Sequence, residues 1–449
     1  MVREPRRALD RADKFVFGLL IFLLIMLWIA GGASRADVAG QVVIRAAAWL
    51  VAIVWILFVP RLPIGRPHPV VVLLFAAILI VALQLVPLPP FLWTELPGRH
   101  LLAETATLIG EKEPWRPLSI APGETVNALG SLIVPVTIFC LVANLSRESH
   151  RRLMGALLIM ILAAVGVGAA QFSGAQLNHP LVNDVPGDVS AIFANRNHFA
   201  LFVSLGCVLA PVYALSGNRP SPWAATIALG LMIVCLLMIL AIGSRAGLLL
   251  APLAIVAGVA ITFRKIRDQL RLMPRRLTLV PIVGAAAVLA AVVVASLMAD
   301  RAVSFDRFMS EGANAGLRAM IRPTVYEMIG KYFPFGTGFG TFDPAYRIDE
   351  STALLRPAYV NLAHNDLLQV ALDGGLAGVA LLVAALAWWA WASIRAWRPG
   401  RESLPRVGSA MLSLVIVASA LDYPARTPMI MAITVIGAVW LALPSRNQG

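Results

Sequence analysis

Charge is what this sequence has least of. Only 14% of its 449 residues are Asp, Glu, Lys or Arg, where a soluble globular domain carries about a quarter. That shortage excludes a soluble enzyme or binding module for the bulk of the chain. Cysteine is nearly absent as well: Cys140, Cys207 and Cys235 are the whole set. All three lie inside apolar runs, where a thiol acts as a small packing residue, so no disulfide is expected. The aspartate pair of common metal-binding spacing is missing from the outer loops too. The loops hold no Asp-x-Asp pair, and Asp349 and Glu350 are adjacent, so their side chains point in different directions. No metal site and no cofactor are expected. Neither an internal repeat nor a low-complexity tract stands out.

What is present is apolar surface. The chain is 59% hydrophobic with a mean hydropathy of +0.80. A helix needs about 20 apolar residues to cross roughly 30 Å of hydrocarbon. Twelve such runs can be read: 15–32, 41–60, 69–88, 124–144, 152–171, 198–216, 223–243, 246–263, 278–299, 371–394, 408–421 and 427–444. The seventh and eighth meet at a tight turn, Ser244-Arg245, and the eleventh is short. The basic N-terminal stretch has no convincing cleavage site, so the first run is expected to be a retained span.

The net charge of +13 invites a nucleic-acid reading. That reading fails once the charges are placed, because the basic residues fall in short loops between apolar runs. With the N-terminus inside and alternating spans, the cytoplasmic segments hold 22 Lys/Arg against 6 acids, and the outer ones 14 against 18. This asymmetry is the one that sets membrane orientation. It puts both termini in the cytoplasm. Arg45 falls inside the second run. It either pairs with a partner that the sequence does not identify or marks a slipped boundary.

The expected architecture is therefore all-α: one polytopic membrane domain over 1–449, with about twelve transmembrane helices. Three outer segments are too long to be turns, 89–123, 172–197 and 300–370. The longest is a large periplasmic loop in which 316–331 reads as a surface helix that Gly-Thr-Gly-Phe-Gly (336–340) then breaks.

Polar residues cluster at four places along these outer edges. Asn195, Arg196, Asn197 and His198 form a knot at the start of the sixth run. They read as a helix cap with interfacial anchors or as a binding group. Arg245, on a Gly-flanked turn, either snorkels to the interface or grips a phosphate beside helix ends. Arg318 and Arg322, four apart on the surface helix, share one face, as a solvated basic patch or an anion site. His364, Asn365 and Asp366 stand where the long loop re-enters the membrane, with Gln369 and Asp373 on later turns. A capped helix start explains Asn365 and Asp366 but does not require His364.

Trp-Arg-Pro-Leu-Ser-Ile-Ala-Pro (115–122), Phe-Ala-Asn-Arg-Asn-His-Phe-Ala (193–200), Gly-Ser-Arg-Ala-Gly (243–247) and Arg318 come in this order. Gly-Thr-Gly-Phe-Gly-Thr-Phe (336–342), Ala-His-Asn-Asp-Leu-Leu-Gln (363–369), Leu-Asp-Gly-Gly-Leu-Ala-Gly (372–378) and Asp-Tyr-Pro-Ala-Arg-Thr-Pro (422–428) follow. Together they resemble the O-antigen ligase and polymerase superfamily of bacterial envelope glycosyltransferases. The resemblance implies a C-type glycosyltransferase-like membrane fold in the bacterial inner membrane. It also implies a polyprenyl-diphosphate-linked glycan donor and a glycolipid or polysaccharide acceptor, with membrane lipids around them and no nucleic acid. On this resemblance Arg245, Arg318 and His364 are the functional residues. Arg322, Arg196, Asn197, His198 and Asn365 are candidate substrate contacts. Arg322 departs from the family, where an aromatic is common, and Asp373 stands where Glu is frequent. Ligase, polymerase and protein glycosyltransferase differ only in the acceptor, and a lipid-linked sugar flippase is the alternative of another class.

Overall fold

The structure is a computed structural model that describes residues 3–59, 68–111, 115–177, 179–183, 185–215, 223–272, 320–352, 355 and 360–444. Among these residues nine helices are long and apolar enough to cross a membrane. They begin with α1 (Arg3–Ala30) and α2 (Ala39–Phe58). The run 122–143 is two abutting helices, α6 (Pro122–Ser131) and α7 (Ile133–Ala143). Then come α8 (Arg147–Phe172), α9 (Arg196–Leu215), α10 (Ala224–Ile242) and α11 (Arg245–Leu272). The last two are α14 (Asp366–Ala396) and α15 (Ser403–Leu421). The expected span 278–299 lies outside the described residues.

Two expected spans are shorter than a full crossing. Helices α3 (Pro69–Leu83) and α16 (Pro428–Ala442) have 15 residues each, about 22 Å at 1.5 Å per residue. The third run was expected to reach residue 88, but its helix stops at Leu83. Gln84 is the reason: it is buried, its amide donates to the Asp373 carbonyl at 2.9 Å, and its Oε1 accepts from the Phe339 amide at 2.9 Å. The chain then leaves the helix for a two-residue strand, Pro87–Leu88, paired antiparallel with Arg116–Pro117. Among the described residues this ladder is a small β element in a fold that is otherwise helical, and the short helices α4 (Pro90–Trp93) and α5 (His100–Leu108) lie beside it in the chain. The eleventh run, expected to be short, is a full 19-residue helix that starts at Ser403. It begins early because Arg406 faces its neighbour, donating to the carbonyls of Ala396 and Arg398 at the end of α14.

Helix α9 is the hub. Its apolar stretch is almost wholly buried, whereas most other spans keep a large exposed face. Small residues let its neighbours approach closely, as in membrane helix pairs generally. A Cβ on Gly206 would meet Cys235 Sγ at 2.7 Å, and one on Gly258 would meet the Cys207 carbonyl at 2.5 Å. All three cysteines are free. The seventh and eighth spans meet as expected: α10 ends at Gly243 in the left-handed region (φ 65°), and α11 starts at Arg245.

Part of the long loop packs on one end of the bundle. Residues 320–332 form α12, which buries Ile321, Val325, Met328 and Tyr332 at helical spacing. They join Phe342 and Tyr346 of α13 (Phe342–Asp349) in a separate apolar cluster that reaches Leu372 of α14. The glycines between are close-approach residues. A Cβ on Gly336 would lie 2.7 Å from the Asp373 carbonyl, and one on Gly375 would lie 2.2 Å from the Pro334 carbonyl. Gly375 is non-helical (φ 54°, ψ −144°) and kinks α14 there. The Gly-Thr-Gly-Phe-Gly loop therefore docks into a break in α14, with Thr337 and Gly338 amides donating to the Leu372 and Asp373 carbonyls.

Candidate active site

The turn between α15 and α16 organises this end of the bundle. Pro424 and Pro428 cannot continue a helix through it, and residues Pro424–Arg426 form a single 3₁₀ turn. Its first residue, Asp422, is buried. The side-chain amides of Asn195 and Asn197 donate to Asp422 Oδ2 at 3.0 and 2.5 Å. Asn195 also caps α9, its Oδ1 accepting from the Asn197 amide at 2.8 Å. The cap read from the sequence is thus also a tie between α9 and the turn.

The network continues into α11. Ser244 Oγ donates to Asn197 Oδ1 at 2.6 Å and accepts from the Gly247 amide at 3.1 Å, so it caps α11. Arg245 is the next residue and is exposed. A chain of three polar contacts therefore ties the starts of α9 and α11 to the end of α15.

His364 closes the group. Its Nδ1 lies 3.5 Å from Asp422 Oδ1, and its side chain is 22% exposed. The Tyr423 ring stands between two imidazoles, with its centroid 5.1 Å from that of His364 and 5.1 Å from that of His198. His364 adopts φ 51°, rare for a residue with a Cβ. Asn365 holds that conformation in place: its Oδ1 accepts from the Leu368 amide to cap α14, and its Nδ2 donates to the Ala420 carbonyl at 2.7 Å. The Asp366 amide donates to the Asp422 carbonyl at 3.2 Å. The Asp422 carboxylate is held by two side-chain amides and lies close to the imidazole, but at 3.5 Å His364 Nδ1 is not hydrogen-bonded to it.

A second polar group lies on the α14 side of the same turn. Arg426 Nη2 is 3.2 Å from Asp373 Oδ2, and its Nε is 3.5 Å from Asp366 Oδ1. Asp373 is fully buried and also accepts from the Gly340 amide at 3.4 Å, while Asp366 accepts from the Ala425 amide at 3.0 Å. Arg45 has its answer nearby. Its guanidinium donates to Asn127 Oδ1 and, at 3.4 Å, to Gln41 Oε1, so the charge lies inside the helix and is solvated by neutral amides.

The residues singled out in the sequence divide accordingly. Asn197, His364 and Asn365 converge on Asp422 and its turn, whereas Arg245 is exposed and follows the capping Ser244 in the chain. His198 is buried, with Nδ1 3.0 Å from Thr427 Oγ1, so its ring braces the turn. Arg196 faces Asp188 at 3.9 Å. Arg322 is exposed on α12. Arg318 lies outside the described residues. Asp422, Tyr423 and Arg426 went unassigned, although a polar island set between two prolines and two apolar runs was the available signal. Arg99 also escaped notice. It is fully buried and donates to the carbonyls of Leu118 (2.6 Å) and Gly336 (3.1 Å), pinning the Gly-rich loop.

No curated protein matches the chain. Residues 230–383, which contain Arg245, Arg322, His364 and Asp373, match the O-antigen ligase family model. Over that stretch the chain is an O-antigen ligase family domain, of membrane glycosyltransferase type.

Proposed function

We propose that the protein transfers a glycan from a polyprenyl-diphosphate-linked donor to an acceptor hydroxyl at the periplasmic face of a bacterial inner membrane, as an inverting, metal-independent ligase. The single observation that carries this reading is the His364–Asp422 contact at the head of the Asn197–Ser244 network. It puts a candidate base beside a carboxylate at a bundle end, in a network that reaches the helix start carrying Arg245.

The proposed topology has twelve spans in a C-type glycosyltransferase-like fold: the nine long helices, α3, α16 and the run 278–299. Support for the orientation is the excess of Lys and Arg in the segments then placed inside. Outside the cytoplasm no nucleotide sugar is available, so the donor arrives already activated on a lipid.

In the reaction, the acceptor oxygen attacks the anomeric carbon on the face opposite the diphosphate. The new carbon–oxygen bond forms as the bond to the diphosphate oxygen breaks, and polyprenyl diphosphate leaves. His364 takes the hydroxyl proton, and Asp422 stabilises the imidazolium. Arg245 sits at the start of α11 and binds diphosphate there. Arg318 shares that role on the family resemblance, and its charge stabilises the departing diphosphate. Asn197, His198 and Asn365 hold the turn. Arg196 and Arg322 stand at the rim as contacts for donor or glycan.

The test offers purified protein a defined diphospho-lipid glycan with lipid A-core, repeat-unit and peptide acceptors in turn, with a chelator control. Transfer to lipid A-core, insensitive to chelator, is expected. His364→Ala should abolish it, and Asp422→Asn should lower kcat about 100-fold or more with little change in donor KM. Full activity in a folded, inserted His364→Ala protein removes the imidazole from the chemistry.

A further inference from the structure

The far end of α14 carries a pattern that the proposed chemistry leaves unused. Trp388, Trp389, Trp391 and Trp397 crowd together there, interleaved with Arg395, Arg398 and Arg401. Tryptophan gathers at the membrane–water boundary, where its ring sits at headgroup level. Part of this run lines a cavity of about 430 Å³ between the end of α14, the start of α15 and the end of α16. It lies at the opposite end of these helices from His364. Buried Ala392 and Leu441 and half-buried Trp388 give it an apolar wall, and Arg395, Arg401 and Glu402 give it a charged one.

These charges do not cancel. Glu402 is committed to Arg147 at the start of α8, at 2.5 Å. It occupies the N-cap position of α15, yet its side chain caps nothing there, so the positive end of that helix is left without a side-chain acceptor. Arg395 lies over the Trp391 ring at 4.5 Å, and neither it nor Arg401 has an acidic partner among the described residues.

We propose that this cavity binds an anionic phospholipid, its phosphate on Arg395 and Arg401 and the start of an acyl chain against Trp388 and Leu441. Two guanidinium groups, with the one acid of the lining already paired, match a phosphate that accepts from several N–H groups at once. A free ion leaves the apolar wall uncovered, whereas an acyl chain covers it. The tryptophans set the depth at which basic pockets between membrane helices take anionic headgroups. A lipid seated there ties together the ends of α14, α15 and α16, whose opposite ends flank His364, Asp422 and Arg426. The binding does not depend on the proposed glycan transfer.

The full chain in phosphatidylcholine nanodiscs is doped with phosphatidylglycerol carrying a diazirine near the start of one acyl chain. Label is expected within 388–396 and 441–444. Unlabelled phosphatidylglycerol should suppress it, and neither phosphatidylethanolamine nor inorganic phosphate should. The Arg395→Gln/Arg401→Gln variant should need about thirtyfold more probe for equal labelling, the worth of two cations at headgroup level. Arg151→Gln/Arg267→Gln removes basic residues that do not line the cavity and should label as the parent does. Where the first variant fails to fold, the headgroup selectivity of the parent decides. Label outside these two stretches, equal suppression by phosphatidylethanolamine, or unchanged labelling in a folded Arg395→Gln/Arg401→Gln protein overturns the site. An equal loss in Arg151→Gln/Arg267→Gln also overturns it, since the basic surface then acts as a whole. Suppression by inorganic phosphate overturns the lipid assignment and leaves a free-phosphate site.

Discussion

Replacing Arg426 with Met tests whether the buried carboxylates of α14 depend on that one cation. Arg426 lies 3.2 Å from Asp373 and 3.5 Å from Asp366, and the side chains of both acids are almost or wholly shielded. Removing one partner from a buried ion pair costs about 3–5 kcal/mol, because the remaining charge has no compensation. The Arg426 side chain is 21% exposed, so water reaches its end of the pair and the lower figure, about 3 kcal/mol, applies. Asp373 contributes the larger part, since it has no exposure at all and its other carboxylate contacts are neutral, the Gly340 backbone amide and the Gln369 side chain. The assay is reversible unfolding in mixed micelles of Arg426→Met, Asp373→Asn and the double variant. The double variant should recover most of the loss, giving a coupling of about 2 kcal/mol between the two sites. Strict additivity, or a loss below about 1 kcal/mol for Arg426→Met, refutes the idea that the pair holds the α14 break against the turn.

Two further perturbations probe the loop that covers this end. Burial pulls the Arg99 guanidinium down to about 10, still charged at neutral pH. Arg99→Lys should destabilise the loop by about 2 kcal/mol, because an ammonium lacks the planar fork that reaches both the Leu118 and Gly336 carbonyls. Limited proteolysis should then open 334–340, and an unchanged cleavage pattern refutes the role. Lys331 bridges α12 and α13 through Asp349 at 2.6 Å. Burial works against its charge, but the Asp349 carboxylate and the Tyr332 ring outweigh it and hold the ammonium above its usual 10.5. A raised lysine stabilises fully below the unfolded pKa and loses its effect as pH rises through the folded one. The melting difference between Lys331→Met and the parent should therefore be constant from pH 7 to 9 and shrink above about 10.5. A difference that persists at pH 12 refutes the ion pair.

Period and composition made the bundle legible. Spans of unbroken aliphatic residues need no partner to be identified, and the Ser244-Arg245 hairpin was visible because only two polar residues separate two apolar runs. Burial in α12 follows the 3.6-residue period, so that helix was legible too. The end of α3 was not. Its apolar pattern continues to residue 88, and only the tertiary bonds of Gln84 to Asp373 and Phe339 pull the chain out of the helix at Leu83. The site shows the same division. Asn365 and Asn195 announce themselves as caps because capping is a local interaction. Asp422 and Arg426 do not, since their partners are up to 227 residues away and nothing in their own neighbourhood calls for a charge.

The turn that carries Asp422 and Arg426 explains why those two residues belong together despite serving different neighbours. Four positions separate them, and Pro424 between them fixes the backbone while removing a donor that a buried turn would otherwise have to satisfy. Asp422 is committed to the asparagines of α9 and to His364. Arg426 is committed to the acids of α14. Neither side chain can relax without moving the other through this short, stiff segment. The turn is also bonded at its edges, since the Asp366 amide holds the Asp422 carbonyl and the Met429 amide reaches the Gly31 carbonyl at the end of α1. A displacement of Arg426 is therefore transmitted to the carboxylate beside the imidazole. The turn thus fixes the position of His364, through Asp422, relative to the Asp366–Arg426–Asp373 group.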